Sequence, residues 1–113
     1  MGRGGNEMST LRNSVMLIGI PTRPVMNSEE KQASFKLTVN NIYNGGCPTT
    51  NTFDCVGHGE IAQRVVRTVI EGKQLAIDGS LRNYDYQDRM GDTHTHTEIV
   101  LSDIFPIDKI KED

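Results

Sequence analysis

Tryptophan is absent from this chain, and only three tyrosines and three phenylalanines make up its aromatic set. Cysteine is nearly absent too. Cys47 and Cys55 form no CxxC pair and suggest no zinc ribbon, and reduced thiols in a cytoplasm are the default for a small chain of this kind. No apolar run approaches the ~20 residues that a membrane-spanning helix requires. Positive charge is not in excess: 12 Lys and Arg face 15 Asp and Glu, a net charge of −3. That balance counts against a polyanion partner, although the sign of a local groove can differ from the sum. No nucleophile elbow, phosphate-binding glycine loop or paired acidic metal motif is present, so neither an enzyme nor a cofactor is expected. Asp85, Asp88 and Asp92 crowd into one hairpin, a poorly preorganised place for a two-metal nuclease.

What is there fits one domain in 113 residues. The first ten residues, with Gly2, Gly4 and Gly5 and no apolar core behind Arg3, read as a flexible leader rather than a secretory signal. The domain is expected over 11–106 and a short polar tail over 107–113. Residues 13–20, "NSVMLIGI", are apolar on both sides of a strand, which calls for burial on both faces. Pro21 and Pro24 then bar regular structure from "PTRPVMNSEEK". In "QASFKLTVN", Ala33, Phe35, Leu37 and Val39 alternate with polar neighbours, as in a half-buried strand. "NIYNGGCPTTN" reads as a long loop and "TFDCVGH" as a third strand.

"GEIAQRVVRTVIEG" is the one amphipathic helix. Ile61, Val65 and Val69 recur on its apolar stripe beside Ala62, Val66 and Ile70, and Gly72 is placed to end it in a left-handed cap. "KQLAIDGSLR" puts Leu75, Ile77, Gly79 and Leu81 on one face of a fourth strand, and "TEIVLSDIF" supplies the fifth. Three strands, a helix and two strands make an all-β chain with one helix. That is the order of a five-stranded OB-fold barrel, with the helix between the third and fourth strands and a long hairpin between the fourth and fifth.

The hairpin "GSLRNYDYQDRMGDTHTHTEIV" offers two chemistries. His94, His96 and Glu98 share one strand face and could together hold a divalent ion. Same-face neighbours on one strand close a tetrahedron poorly, however, and His58 is the only other histidine, so no metal is expected. The tyrosines carry the stronger signal. Tyr43, Tyr84 and Tyr86 all fall in loops or hairpins, whereas all three phenylalanines fall in strands. Phe in a core and Tyr on a wet stacking surface would look like this, because Tyr keeps its hydroxyl solvated. The plainer reading is that the tyrosines merely cover the hairpin or a subunit contact.

"NSVMLIG", "ASFKLTVN", "DCVGHGEIAQ" and "EGKQLAIDGSLRNYDYQD…G…TEIV" follow in unbroken order over residues 11–105, and this series resembles the bacterial single-stranded DNA-binding proteins. The resemblance implies an OB-fold that binds single-stranded DNA of any sequence by aromatic stacking and phosphate contacts, protecting it in replication, recombination or repair. It also implies a homo-oligomer (a tetramer first, a dimer second) in the cytoplasm, associated with the nucleoid. Matched position by position, Tyr43 and Tyr86 stand at base-stacking tryptophans and Arg82 at a basic residue of the hairpin. Tyr84 and His58 join them as candidates, with Lys36, Lys73, Arg82 and Arg89 as phosphate partners.

Three departures bear on this expectation. Where the family offers two aromatics on its third strand, Thr52 and His58 stand here, and Phe53 is offset by one residue, which turns it to the opposite face and favours its burial. From Arg12 to Pro106 nine Lys and Arg meet eleven Asp and Glu, which predicts a shallow salt dependence. The chain stops at "KIKED", so recruitment of replication proteins through an acidic tail is not expected. These departures leave an alternative: an OB-fold accessory of replication restart, acting mainly through protein contacts.

Overall fold

The computed structural model describes residues 11–42 and 48–107. Six strands and a helix run in the order β1 (Val15–Pro21), β2 (Val25–Met26), β3 (Gln32–Ile42), β4 (Pro48–His58), α1 (Glu60–Thr68), β5 (Leu75–Gln87) and β6 (Thr93–Pro106). The sheet order is β1-β5-β6-β4-β3-β2, and a further pairing of β1 with β3 closes the first five into a ring. All pairings are antiparallel except β4 with β6, where Cys55 lies opposite Ile99 and Val56 opposite Val100. The ring with α1 between β4 and β5 is the OB-fold barrel.

Alternation fills the barrel as the sequence requires. Ala33, Phe35 and Leu37 of β3 point inward with Cys55 of β4, Leu75 and Ile77 of β5, and Ile99, Leu101 and Ile104 of β6. Ala62, Val65 and Val69 close one end of this core from the helix side. Phe53 pairs with Leu37 and packs against the same cluster, on the core side of β4. At Gly79 the barrel wall is so tight that a Cβ would stand 2.4 Å from the Val100 carbonyl oxygen. Next to it, between Asp78 and Gly79, the β5–β6 register shifts.

Several elements depart from the sequence-based expectation. The helix stops at Thr68: Val69 is extended (φ −80°, ψ 123°) and still donates its N–H to the Val65 carbonyl at 2.9 Å. β-Branched Val69 and Ile70 propagate a helix poorly, and leaving it lets Val69 turn into the core while Val66 and Ile70 stay exposed. Gly72 does take a left-handed φ of 85°, but in the turn beyond the helix. The loop after β3 is shorter than expected, because the β3–β4 ladder runs on to the pair Ile42 and Pro48. Within the proline-bounded turn, Val25 and Met26 pair with Ser34 and Ala33, since neither proline lies between them. Leu81 keeps the inner face of β5, opposite buried Ile99, but is exposed because β5 outruns the barrel there.

β1 presents its second apolar face to the outside. Met16 is 74% exposed and Ile18 52%, and Ile18 lies in register with Ala76 of β5, which lies in register with Phe105 of β6. Directly paired residues share a sheet face, so Ile18, Ala76 and Phe105 form one outward apolar row.

Candidate nucleic-acid interface

The β5–β6 hairpin stands beyond the barrel as a two-faced ribbon. Its cross-strand pairs alternate between the faces. On one side Asn83 meets Thr97 and Asp85 meets Thr95, each threonine hydroxyl donating to the opposite side chain at 2.6 and 2.8 Å. On the other side Arg82 meets Glu98, Tyr84 meets His96 and Tyr86 meets His94. A strand period of two therefore gathers the tyrosines, the histidines and the Arg82–Glu98 pair on one face and leaves Asn83, Asp85 and their threonine partners on the other.

Each tyrosine on that face is braced by an imidazole. The Tyr86 ring stacks on His94 with centroids 5.4 Å apart and planes at 29°. Tyr84 meets His96 edge-on at 5.2 Å, and the two tyrosine rings are 6.5 Å apart. Tyr84 remains 44% exposed and Tyr86 49%, so each keeps open ring surface. The imidazoles are themselves held. The Nε2 of His94 lies 2.7 Å from the Asp88 carboxylate, and that of His96 lies 2.8 Å from Oδ2 of Asp54 on β4. The other Asp54 oxygen takes the Lys36 ammonium at 2.6 Å. Lys36, Asp54, His96 and Tyr84 thus form a continuous chain from β3 to β5.

The hairpin tip is pinned by Asp88. Its carboxylate accepts the backbone N–H groups of Met90 and Asp92 at 2.9 Å, while Gly91, with φ 87°, makes the reversal. The bond from His94 and these amides hold the Asp88 carboxyl below the ordinary carboxylate range. On β4, next to Asp54, burial pushes the Cys55 thiol up to about 12, leaving it protonated and inert as a nucleophile.

The candidates named from sequence fall into four groups. Tyr84, Tyr86, Arg82 and Lys36 converge on one outer face, with Lys36 and Arg82 in ion pairs with Asp54 and Glu98. Arg89 is exposed at the hairpin tip, and His58 is exposed on the same outer face of β4, opposite Gln32. Lys73 precedes β5, roughly 30 Å of extended strand from the tyrosines, and is not brought together with them. Tyr43 lies outside the described residues. Asp54, His96 and Glu98 were not singled out as members of this face. Strand parity puts His96 and Glu98 on one face of β6, but only cross-strand register sets His96 opposite Tyr84 and Asp54 opposite Lys36. His94, His96 and Glu98 each engage a different residue, and among the described residues no three His, Cys, Asp or Glu side chains converge on a metal-sized site.

A closed five-stranded barrel with an aromatic hairpin face defines an oligonucleotide-binding module of the OB type. Residues 12–107 match the model of the single-strand binding protein family, and the chain belongs to that family. Its members bind single-stranded DNA and are not enzymes, which does not favour the accessory-module alternative. Among solved structures the chain is similar to the Plasmodium falciparum single-stranded DNA-binding protein in complex with single-stranded DNA. The TM-score there is 0.76 at 23% identity, covering 87% of this chain and 96% of that one. It is also similar to the small single-stranded DNA-binding protein of Streptomyces coelicolor, with a TM-score of 0.66 at 20% identity, over 86% and 96%. No curated protein matches the sequence. No helix among the described residues is long and apolar enough to cross a membrane.

Proposed function

We propose that this chain holds single-stranded DNA, whatever its sequence, along the outer face formed by β3, β4 and the β5–β6 hairpin, and so protects it during replication, recombination or repair. The observation that carries the reading is the pair of half-exposed tyrosines two residues apart on one strand face, each backed by an imidazole. A rigid ring with one open face is a platform for any base, since every base has a flat surface to stack. Lys36, Arg82 and Arg89 supply phosphate contacts around the platforms, and Tyr43 in the β3–β4 connection adds a further stacking ring. Copies of the chain assemble across the outward row of Met16, Ile18 and Phe105, which supports a tetramer or a dimer. The site of action is the cytoplasm, at the nucleoid.

Fluorescence anisotropy with labelled oligo-dT tests the reading. Micromolar binding at low salt is expected, and Tyr86→Ala weakens it by about 1–3 kcal/mol without changing its salt dependence. Absence of binding at low salt would overturn the function, and an unchanged affinity in Tyr86→Ala would leave that ring a purely structural part.

A further inference from the structure

The foot of the hairpin holds a groove of about 340 Å³ lined by Gln32, Arg82, Tyr84 and Glu98. It opens into a larger groove that continues past Ser34 towards Asp54 and His96. Its polar groups are unusual for a surface that meets a polyanion. The smaller groove is lined by one cation, Arg82, which Glu98 neutralises, while in the larger groove Lys36 is paired with Asp54 and Arg23 also lines the wall. What the groove offers beside the Tyr84 ring is therefore acceptor oxygen. The Glu98 side chain is only 11% exposed and fixed by Arg82 through one oxygen, Oε2. Its other oxygen, Oε1, has no partner among the hydrogen bonds of the described residues. Glu98 is diagonal to Tyr84 across the β5–β6 ladder, within reach of the edge of a base lying against that ring.

Resting on the proposed single-strand reading, we infer that this groove is a base-edge subsite that favours bases bearing an exocyclic amine. Glu98 is its specificity-determining residue. A carboxylate accepts a hydrogen bond from the cytosine 4-amino group. It can only repel the 4-carbonyl oxygen that thymine and uracil present at the same place. Gln32, across the groove, has an amide that can serve either kind of edge and so does not reverse the preference. Stacking on Tyr84 and Tyr86 remains indifferent to the base. The discrimination is thus modest and confined to the one base seated in the groove.

Cytosine and uracil have the same ring size and differ where it matters, so oligo-dC and oligo-dU of equal length are the probes. Anisotropy competition at neutral pH should show oligo-dC binding about five- to tenfold more tightly than oligo-dU, the lower part of the range for one base-edge contact. In Glu98→Gln the new amide can donate to the uracil carbonyl, and the preference should fall to parity or invert. Loss of the Arg82 partner in that variant acts on the phosphates of both polymers alike and cancels in the ratio. Circular dichroism and melting of the variant check that the hairpin persists, and Glu98→Ala gives a second variant whose ratio should also fall to parity. Equal affinity for the two polymers in the wild-type protein overturns the subsite while leaving the binding function intact. So does a ratio that survives both substitutions. Failure to bind either polymer overturns the function itself.

Discussion

Removing a negative charge at Asp54 should make this protein bind DNA more tightly. Asp54 occupies Lys36 at 2.6 Å and His96 at 2.8 Å, one with each oxygen, on the face where phosphates are expected. In Asp54→Asn the amide oxygen can still accept one of these bonds, so the brace behind Tyr84 is partly kept. The charge that neutralised Lys36 is gone. The Lys36 side chain is 60% exposed, and an ion pair in that setting contributes about 0–1 kcal/mol to stability, so melting should change little.

The effect on binding is larger. One unit charge about 8 Å from a phosphate contributes about 0.5 kcal/mol in water and about 2 kcal/mol at an effective dielectric near 20. Affinity at low salt should therefore rise by about two- to thirtyfold. A liberated Lys36 that engages one phosphate should also steepen the dependence of log K on log salt by about 0.7. Anisotropy titrations with oligo-dT over a series of salt concentrations read both quantities. Weaker binding would mean that bracing Tyr84 outweighs the charge, and an unchanged slope would remove Lys36 from the phosphate contacts. Either result refutes the electrostatic reasoning.

Gly79→Ala drives a Cβ to within 2.4 Å of a backbone carbonyl oxygen that cannot step aside. A loss of about 1–3 kcal/mol is expected in chemical denaturation, and a wild-type midpoint would contradict the packing at the β5–β6 seam. Acid should loosen the domain through Asp103, whose carboxyl is held below its ordinary value of 3.8 chiefly by the hydrogen bond from Arg64 and then by the Ile104 amide. A depressed pKa contributes stability that is complete above the ordinary value and is lost as pH falls through the folded one. Arg64→Ala should therefore show a smaller loss of melting temperature between about pH 5 and about pH 2, and parallel curves would refute the linkage. Ile18→Glu places a charge in the outward apolar row beside Ala76 and Phe105. Light scattering should then report a smaller assembly with the barrel still folded, and an unchanged mass would move the subunit contact elsewhere.

Much of the barrel was legible because its rules are local. The alternation of Ala33, Phe35 and Leu37 named the inner face of β3, and the one-residue offset of Phe53 from Thr52 pointed that ring to the core side of β4, where it packs. The same period of two set Arg82, Tyr84 and Tyr86 together on one face of β5. The helix end was less legible. Val66 and Ile70 continue the apolar spacing of Val65 and Val69, and nothing in one-dimensional periodicity says that the chain turns extended at Val69 to deliver one of them to the core.

By itself, then, the sequence determined the order of the five barrel strands and the helix, the inner face of the alternating strands and the hairpin on which the tyrosines stand, since each follows from neighbours along the chain and their side-chain period. Tertiary structure alone decided the character of that surface. Lys36 and Asp54 are 18 residues apart, and Arg82 and Glu98 are 16 apart. Whether such charges cancel, add or face a ligand depends on strand register, which a charge count cannot contain. The register set an internal carboxylate beside each of two expected phosphate contacts, gave each tyrosine an imidazole to rest on, and placed Glu98 in the wall of the groove.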